Sequence, residues 1–142
     1  MKSFFYLAVI ISASVLIASC GKVGVAEEED IDAIDQNDDV FPVITATKPT
    51  PNQVYISGDS IIAEGSVTDE KVMYKGKVQI KNDANGFMVA ENYYETHFLK
   101  TINYRLAYKT IDTVSTNYTV MLEFQDHGGN SVTATTKVKV NP

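Results

Sequence analysis

Residues 116–140 read TNYTVMLEFQDHGGNSVTATTKVKV, two runs of alternating apolar and polar residues separated by a glycine-rich turn. The apolar positions of the first run are Tyr118, Val120, Leu122 and Phe124, and those of the second include Val132, Ala134, Val138 and Val140. A period of two is typical of a strand with one buried and one solvated face. The stretch therefore predicts strands near residues 116–126 and 130–140.

The same alternation recurs upstream, between turn signals such as Ser57-Gly58-Asp59 and the run from Asn82 to Gly86. It predicts further strands near residues 42–47, 60–68, 71–81, 87–95 and 101–110. About seven short strands without helical periodicity predict an all-β fold, a single antiparallel Ig-like β-sandwich over residues 41–142. The chain has one cysteine and no tryptophan. The sandwich therefore contains no disulfide and is not an antibody-type domain.

The N-terminus has the pattern of an export signal. Lys2 precedes an uncharged apolar run, Phe4 to Ala18, which is too short to span a bilayer comfortably. The run ends Ile17-Ala18-Ser19-Cys20, which resembles the lipobox of bacterial lipoprotein precursors. We expect residues 1–19 to be a lipoprotein signal peptide and Cys20 to carry the lipid. The alternative is an ordinary signal peptide followed by a chance cysteine.

Residues 20–40 carry most of the negative charge. Eight acids, Glu27, Glu28, Glu29, Asp30, Asp32, Asp35, Asp38 and Asp39, lie there with Lys22 as the single base, whereas acids and bases balance over residues 41–142. Such a segment cannot bury enough apolar surface to become ordered, so it predicts a disordered tether. An export function of the acidic run is the alternative. The charge-balanced domain has no basic patch, so no nucleic-acid partner is expected.

The order of motifs over residues 39–142 resembles that of bacterial Ig-like modules. The motifs are Asp39 to Ile44, Tyr55 to Asp59, Val67 to Asp69, Asp126 to Asn130 and the valine-rich last strand. With the lipobox and the acidic segment, this order is similar to that of small Ig-like lipoproteins of unknown function from the Bacteroides group. The resemblance implies a fold, whereas it implies no activity.

Catalysis finds little support in the sequence. The two histidines, His97 and His127, are far apart in the chain, and no serine or cysteine motif indicates a nucleophile with its base. Two histidines at unrelated positions do not predict a zinc site. We therefore predict a protein that is not an enzyme, and a small hydrolase is the least favoured alternative.

Aromatic residues cluster where alternation is poorest, at Tyr93, Tyr94, His97 and Phe98. Exposed tyrosines stack on sugar rings or dock onto a partner, so these four residues are the candidate ligand-binding site. The alternative is that they close the core across an edge strand.

Two further sets of residues are candidate sites of other kinds. Asp39, Asp69, Glu70 and Asp126 offer hard oxygen ligands for calcium, although solvated turn acids explain them as well. No cofactor is therefore predicted, and calcium is kept as a hypothesis. Ser60 and Thr113 lie in triplets, Asp59-Ser60-Ile61 and Asp112-Thr113-Val114, that resemble the O-glycosylation acceptor of Bacteroides-group secreted proteins.

These observations predict a lipid-anchored, non-enzymatic binding or structural module of the cell envelope, with a protein or a glycan as its partner. The alternative is an accessory carbohydrate-binding surface lipoprotein that uses exposed aromatic residues. We expect attachment to the outer membrane through the N-terminal lipid, because Gly21 is not the aspartate that commonly retains lipoproteins in the inner membrane. Either the cell surface or the periplasmic face would fit.

Overall fold

A computed structural model describes residues 38–142, which form eight strands. The strands are β1 (Val43–Lys48), β2 (Val54–Ile56), β3 (Ser60–Thr68), β4 (Met73–Asn82), β5 (Met88–Glu95), β6 (Thr101–Lys109), β7 (Thr116–Asp126) and β8 (Ser131–Asn141). The predicted signal peptide, Cys20 and the tether as far as residue 37 lie outside the described residues. Within residues 38–142, no helix has the length and hydropathy to cross a membrane.

The strands divide into two sheets. One has three strands in the order β1-β3-β6, and the other has five in the order β2-β8-β7-β4-β5. All pairs are antiparallel except β2 with β8, which run parallel. Placing β3 and β6 in one sheet and β4, β7 and β8 in the other is the Ig-like arrangement. The predicted all-β sandwich is therefore confirmed, with one strand more than expected.

The additional strand is β2, which pairs with the end of β8 at the sheet edge. It has three residues, of which only the middle one, Tyr55, is buried. Its exposed neighbours, Val54 and Ile56, are also apolar, so the segment shows no alternation. A strand of three apolar residues is too short and too uniform to show the alternation that predicts a strand from sequence.

The alternation in β4 changes phase at a β-bulge. Met73 pairs with Asp126 while Lys75 pairs with Gln125, so Tyr74 is an extra residue on the β4 side. Unbroken alternation with the buried Val78 and Ile80 would place Tyr74 on the inner face and Met73 on the outer face. In the structure Met73 is completely buried and Tyr74 is only partly buried, because the bulge reverses the side-chain direction locally.

The core lies between the sheets and includes large aromatic residues. Tyr104 of β6 packs on Phe124 of β7 with ring centroids 5.6 Å apart, and Tyr108 packs on Tyr118 at 5.8 Å. Each pair joins the two sheets. Full burial of one such side chain is worth about 1.5–3 kcal/mol. Because the only cysteine of the chain is Cys20, this packing stabilises the sandwich without an intramolecular disulfide.

Candidate functional site

A concave feature lies on the five-stranded sheet. Tyr93, Lys77 and Glu123 are cross-strand neighbours on β5, β4 and β7. Lys77 Nζ lies 3.0 Å from Glu123 Oε2, and the Tyr93 ring is 65% exposed. The hydroxyl of Tyr93 donates to Glu91 Oε2 at 3.1 Å. An aromatic ring is thus fixed among charged groups on a solvated surface.

Around this row runs a groove of about 680 Å³, which we call the sheet groove. Its polar and aromatic lining includes Lys75, Lys77, Tyr93, Glu95, Glu123 and Gln125. The hydrogen bond to Glu123 raises the pKa of Lys77, and the hydrogen bond to Glu91 raises the pKa of Tyr93. Both groups therefore keep their protons at neutral pH. The groove can offer one aromatic face together with charged donors and acceptors.

Tyr94 follows Tyr93 in β5 and points to the opposite face. Its ring packs 6.1 Å from that of the buried Phe124, and its hydroxyl accepts a 3.1 Å hydrogen bond from Arg105 N of β6. Tyr94 therefore joins the edges of the two sheets. The alternative that the sequence left open, closure of the core by an aromatic residue, describes Tyr94, whereas Tyr93 is exposed and stays a candidate ligand-binding residue.

His97 belongs to a ring cluster with His127 and Tyr74. The His97 and His127 rings are 5.3 Å apart, and Tyr74 lies 5.7 Å from His97 and 4.8 Å from His127. The Nε2 atom of His127 is buried. Tyr74 is the extra residue of the β4 bulge, whereas His97 and His127 lie in two different connections between strands. Local sequence patterns do not predict contacts between residues so far apart in the chain.

Phe98 lies in the connection between β5 and β6 and is 76% exposed. The four predicted aromatic residues therefore do not act as one surface. Tyr93 lies on the sheet groove, Tyr94 bridges the sheets, His97 belongs to the ring cluster, and Phe98 is exposed in a loop.

Three aspartates meet at the end of the sandwich where the described chain begins. One carboxylate oxygen from each of Asp38, Asp69 and Asp126 lies within 4.8 Å of the others. Asp69 and Asp126 are 9% and 1% exposed, and the Asp38 side chain is 1% exposed. We call these three residues the acidic cluster. Asp38 precedes β1, Asp69 follows β3 and Asp126 ends β7.

Burial is the main reason that the pKa of Asp69 is raised above its ordinary value. The hydrogen bond from the backbone N–H of Lys71 acts in the opposite direction, and the neighbouring charges of Asp126 and Asp38 raise the pKa further. Like charges held together in a poorly solvated place destabilise the ionised form.

Two of the four calcium candidates from the sequence, Asp69 and Asp126, belong to the acidic cluster. The other two, Asp39 and Glu70, are exposed, and Asp38 supplies the third carboxylate. The described fold thus includes Asp38 to Val40, which the sequence analysis assigned to the tether. Asp38 accepts a hydrogen bond from Val40 N at 3.1 Å, but nothing in the acidic run distinguishes it from its neighbours beforehand.

The two glycosylation candidates lie in different surroundings. Ser60 is the first residue of β3, pairs with Lys109 and is half-buried. Thr113 is exposed in the connection between β6 and β7.

No family model matches the chain. A search of curated proteins also finds no match. Among solved structures, the chain is similar to fibronectin(III)-like modules of CbhA from Clostridium thermocellum, with 15% identity, 70% of this chain and 96% of that chain covered, and a TM-score of 0.47. It is also similar to CopC from Methylosinus trichosporium OB3b, with 16% identity, 72% and 93% coverage and a TM-score of 0.42. Murine CRIg shows 9% identity, 72% and 98% coverage and a TM-score of 0.41. At these identities and TM-scores, none of the similarities identifies a partner or a reaction for this chain.

Proposed function

We propose that this protein is a lipid-anchored, non-catalytic module of the cell envelope that binds a protein or glycan partner through the sheet groove. The observation that carries the proposal is the exposed Tyr93 ring within an open groove of about 680 Å³. Ligand sites commonly have volumes in this range and combine an apolar surface with a few oriented polar groups.

The hydrogen bonds around Tyr93 support a role for its ring in ligand binding. Its hydroxyl and the side-chain amide of Gln79 both donate to Glu91 Oε2, at 3.1 and 2.9 Å. These bonds restrict the rotamer of the ring, so less conformational entropy is lost when a ligand binds against it.

A glycan is the second, more specific candidate for the partner. Sugar rings present an apolar face and a rim of hydroxyl groups. The Tyr93 ring would stack on the face, and Lys75, Glu95 and Gln125 around the groove would bond to the hydroxyls. A single aromatic platform implies weak binding, as suits an accessory carbohydrate-binding lipoprotein.

The test is binding of the full chain to glycan and peptide arrays and to envelope extracts. Tyr93→Ala should reduce binding by about tenfold or more, whereas Tyr93→Phe should retain most of it, because the ring supplies the contact surface. Phe87→Ala is the matched control, since Phe87 is 70% exposed but lies in the β4–β5 turn.

Tyr94 is left unchanged in this experiment because its replacement would disturb the bridge to Arg105. Binding that survives Tyr93→Ala and the charge reversal Lys77→Glu would exclude the sheet groove as the binding site. A preference for one glycan class that is lost in Tyr93→Ala would favour a glycan over a protein as the partner.

A further inference from the structure

The acidic cluster contains two carboxylate oxygens whose bonding capacity is unused. Asp38 Oδ2 and Asp69 Oδ2 are buried and accept no hydrogen bond from the part of the chain that the structure describes. A buried anionic oxygen without a partner costs far more than a solvated one. The two oxygens belong to side chains that are nine-tenths or more buried, and both side chains belong to a group whose oxygens converge within 4.8 Å.

The remaining oxygens of the cluster are held in place by backbone and amide donors. Asp69 Oδ1 accepts from Lys71 N at 2.7 Å. Asp126 Oδ1 accepts from Asn130 N at 2.8 Å, and its Oδ2 accepts from Asn130 Nδ2 at 3.0 Å. Donors of this kind fix the orientation of metal-ligating carboxylates in known sites. The cluster is therefore oriented before any ligand arrives.

The charge of the cluster is only partly compensated. Lys71 Nζ lies 3.7 Å from Asp38 Oδ1, the oxygen that already accepts from Val40 N. Among residues 38–142, one ammonium group beside three carboxylates leaves two negative charges to be compensated. A divalent cation between the three carboxylates would compensate them.

We propose that Asp38, Asp69 and Asp126 form a binding site for a hard divalent cation, with Ca²⁺ as the best fit. All three ligands are carboxylate oxygens, which hard cations prefer over the nitrogen and sulfur ligands that select zinc. Ca²⁺–oxygen distances of about 2.3–2.6 Å allow ligand atoms up to about 5 Å apart, which accommodates the 4.8 Å limit on this group. Water molecules complete the coordination shell, as they commonly do around Ca²⁺.

Such a cation would join three segments that are distant in sequence, the entry to β1, the β3–β4 connection and the end of β7. Its binding would therefore stabilise the fold by mass action. The probes are CaCl2 and MgCl2 at millimolar concentration, added to the full chain in detergent after treatment with a chelator, with NaCl at equal ionic strength as the blank.

We expect Ca²⁺ to raise the melting midpoint by about 5 °C at about ten times its dissociation constant, and Mg²⁺ to raise it less. Asp38→Asn and Asp69→Asn should each weaken Ca²⁺ binding, measured by calorimetry at 25 °C on protein shown folded by circular dichroism, by at least about tenfold. With chelator present, Asp69→Asn should melt no lower than the unmodified chain, because it relieves repulsion among the carboxylates.

Asp39→Asn and Glu70→Gln are matched controls, since each neutralises an exposed acid next to a cluster residue. Both should respond to Ca²⁺ like the unmodified chain. The proposal is overturned if Ca²⁺ acts no differently from NaCl, or if Asp38→Asn and Asp69→Asn retain the full response. These outcomes are independent of partner binding at the sheet groove.

Discussion

The ionisation of Tyr118 is linked to the fold. It is 2% exposed, and its hydroxyl donates to Asp112 Oδ1 and Oδ2 at 3.0 and 2.9 Å. Burial, followed by the bond to Asp112, raises its pKa above the ordinary value of 10.0. Burial also raises the pKa of Tyr55 and of Tyr104. Three buried phenols are thus held neutral by the native structure.

We therefore predict that stability is lost at high pH. The unfolded chain releases these protons near pH 10, before the folded chain does, so stability is complete below that pH and falls as the pH rises above it. The measurement is the urea midpoint at several pH values from about 8 to 11. Tyr118→Phe should start from a lower midpoint, since it lacks the bond to Asp112, and should then decline less steeply. Parallel declines in the two proteins would contradict this account.

At the scale of elements, the turn between β7 and β8 holds the start of the described chain. The Asn130 amide nitrogen lies 3.0 Å from the carbonyl oxygens of Asp38 and Val40 and from Asp126 Oδ2, so its two hydrogens are shared among three acceptors. All three partners are acceptors, so the side chain must present its nitrogen to them. One residue therefore connects the entry to β1 with the end of β7.

Asn130→Ala should lower the free energy of unfolding by about 1–3 kcal/mol, because it leaves acceptors at a partly buried site without a donor. Asn130→Asp should lower the free energy of unfolding further, because a carboxylate would face two carbonyl oxygens and the Asp126 carboxylate. Chemical denaturation measures both effects, and hydrogen exchange should show faster exchange at Val40. Asn103→Ala, at an exposed position of β6, is the control and should change stability by less than about 0.5 kcal/mol.

Most strands were predictable because they have one buried and one solvated face. The two exceptions have physical causes. β2 is too short to show a period, and Tyr74 shifts the phase of β4 through a bulge that depends on its pairing with β7. Two of the three residues of the acidic cluster were predictable. Asp69 and Asp126 stood out beside their turns, whereas the choice of Asp38 over Asp39 depends on contacts with a turn about ninety residues away.

The same limit applies to the aromatic residues. Adjacent strand residues point to opposite faces, so Tyr93 and Tyr94 could not both belong to one exposed platform once β5 was formed. Which of the two faced outwards was fixed by pairing, since Tyr94 lies opposite Gly76 and Tyr93 opposite Lys77. At Gly76 a side chain would overlap the buried Phe124 ring.

At the scale of the whole molecule, we propose that the acidic segment connects a charge-balanced sandwich to a lipidated Cys20. Cys20→Ala should release the protein from the membrane, because the proposed lipid on Cys20 would be lost and two or more acyl chains supply the free energy of stable membrane binding. The measurement is the fraction recovered in the membrane pellet, together with incorporation of a labelled fatty acid.

Ser57→Ala, within the β2–β3 turn, provides a processed and lipidated control. A Cys20→Ala protein that stays in the pellet and still takes up the label would refute lipidation at this residue. Protease treatment of intact cells then separates surface display from a periplasmic location.

The bridge at Asn130 also determines how force would enter the domain. Of the described residues, Asp38 and Val40 are the first to be loaded when the chain is pulled on the N-terminal side of β1, and their carbonyl groups are held by the Asn130 amide. Only after those bonds yield does tension reach the first β-ladder pair, Val43 with Thr68. The bridge therefore protects the β1–β3 ladder from being peeled open at its end by such a pull.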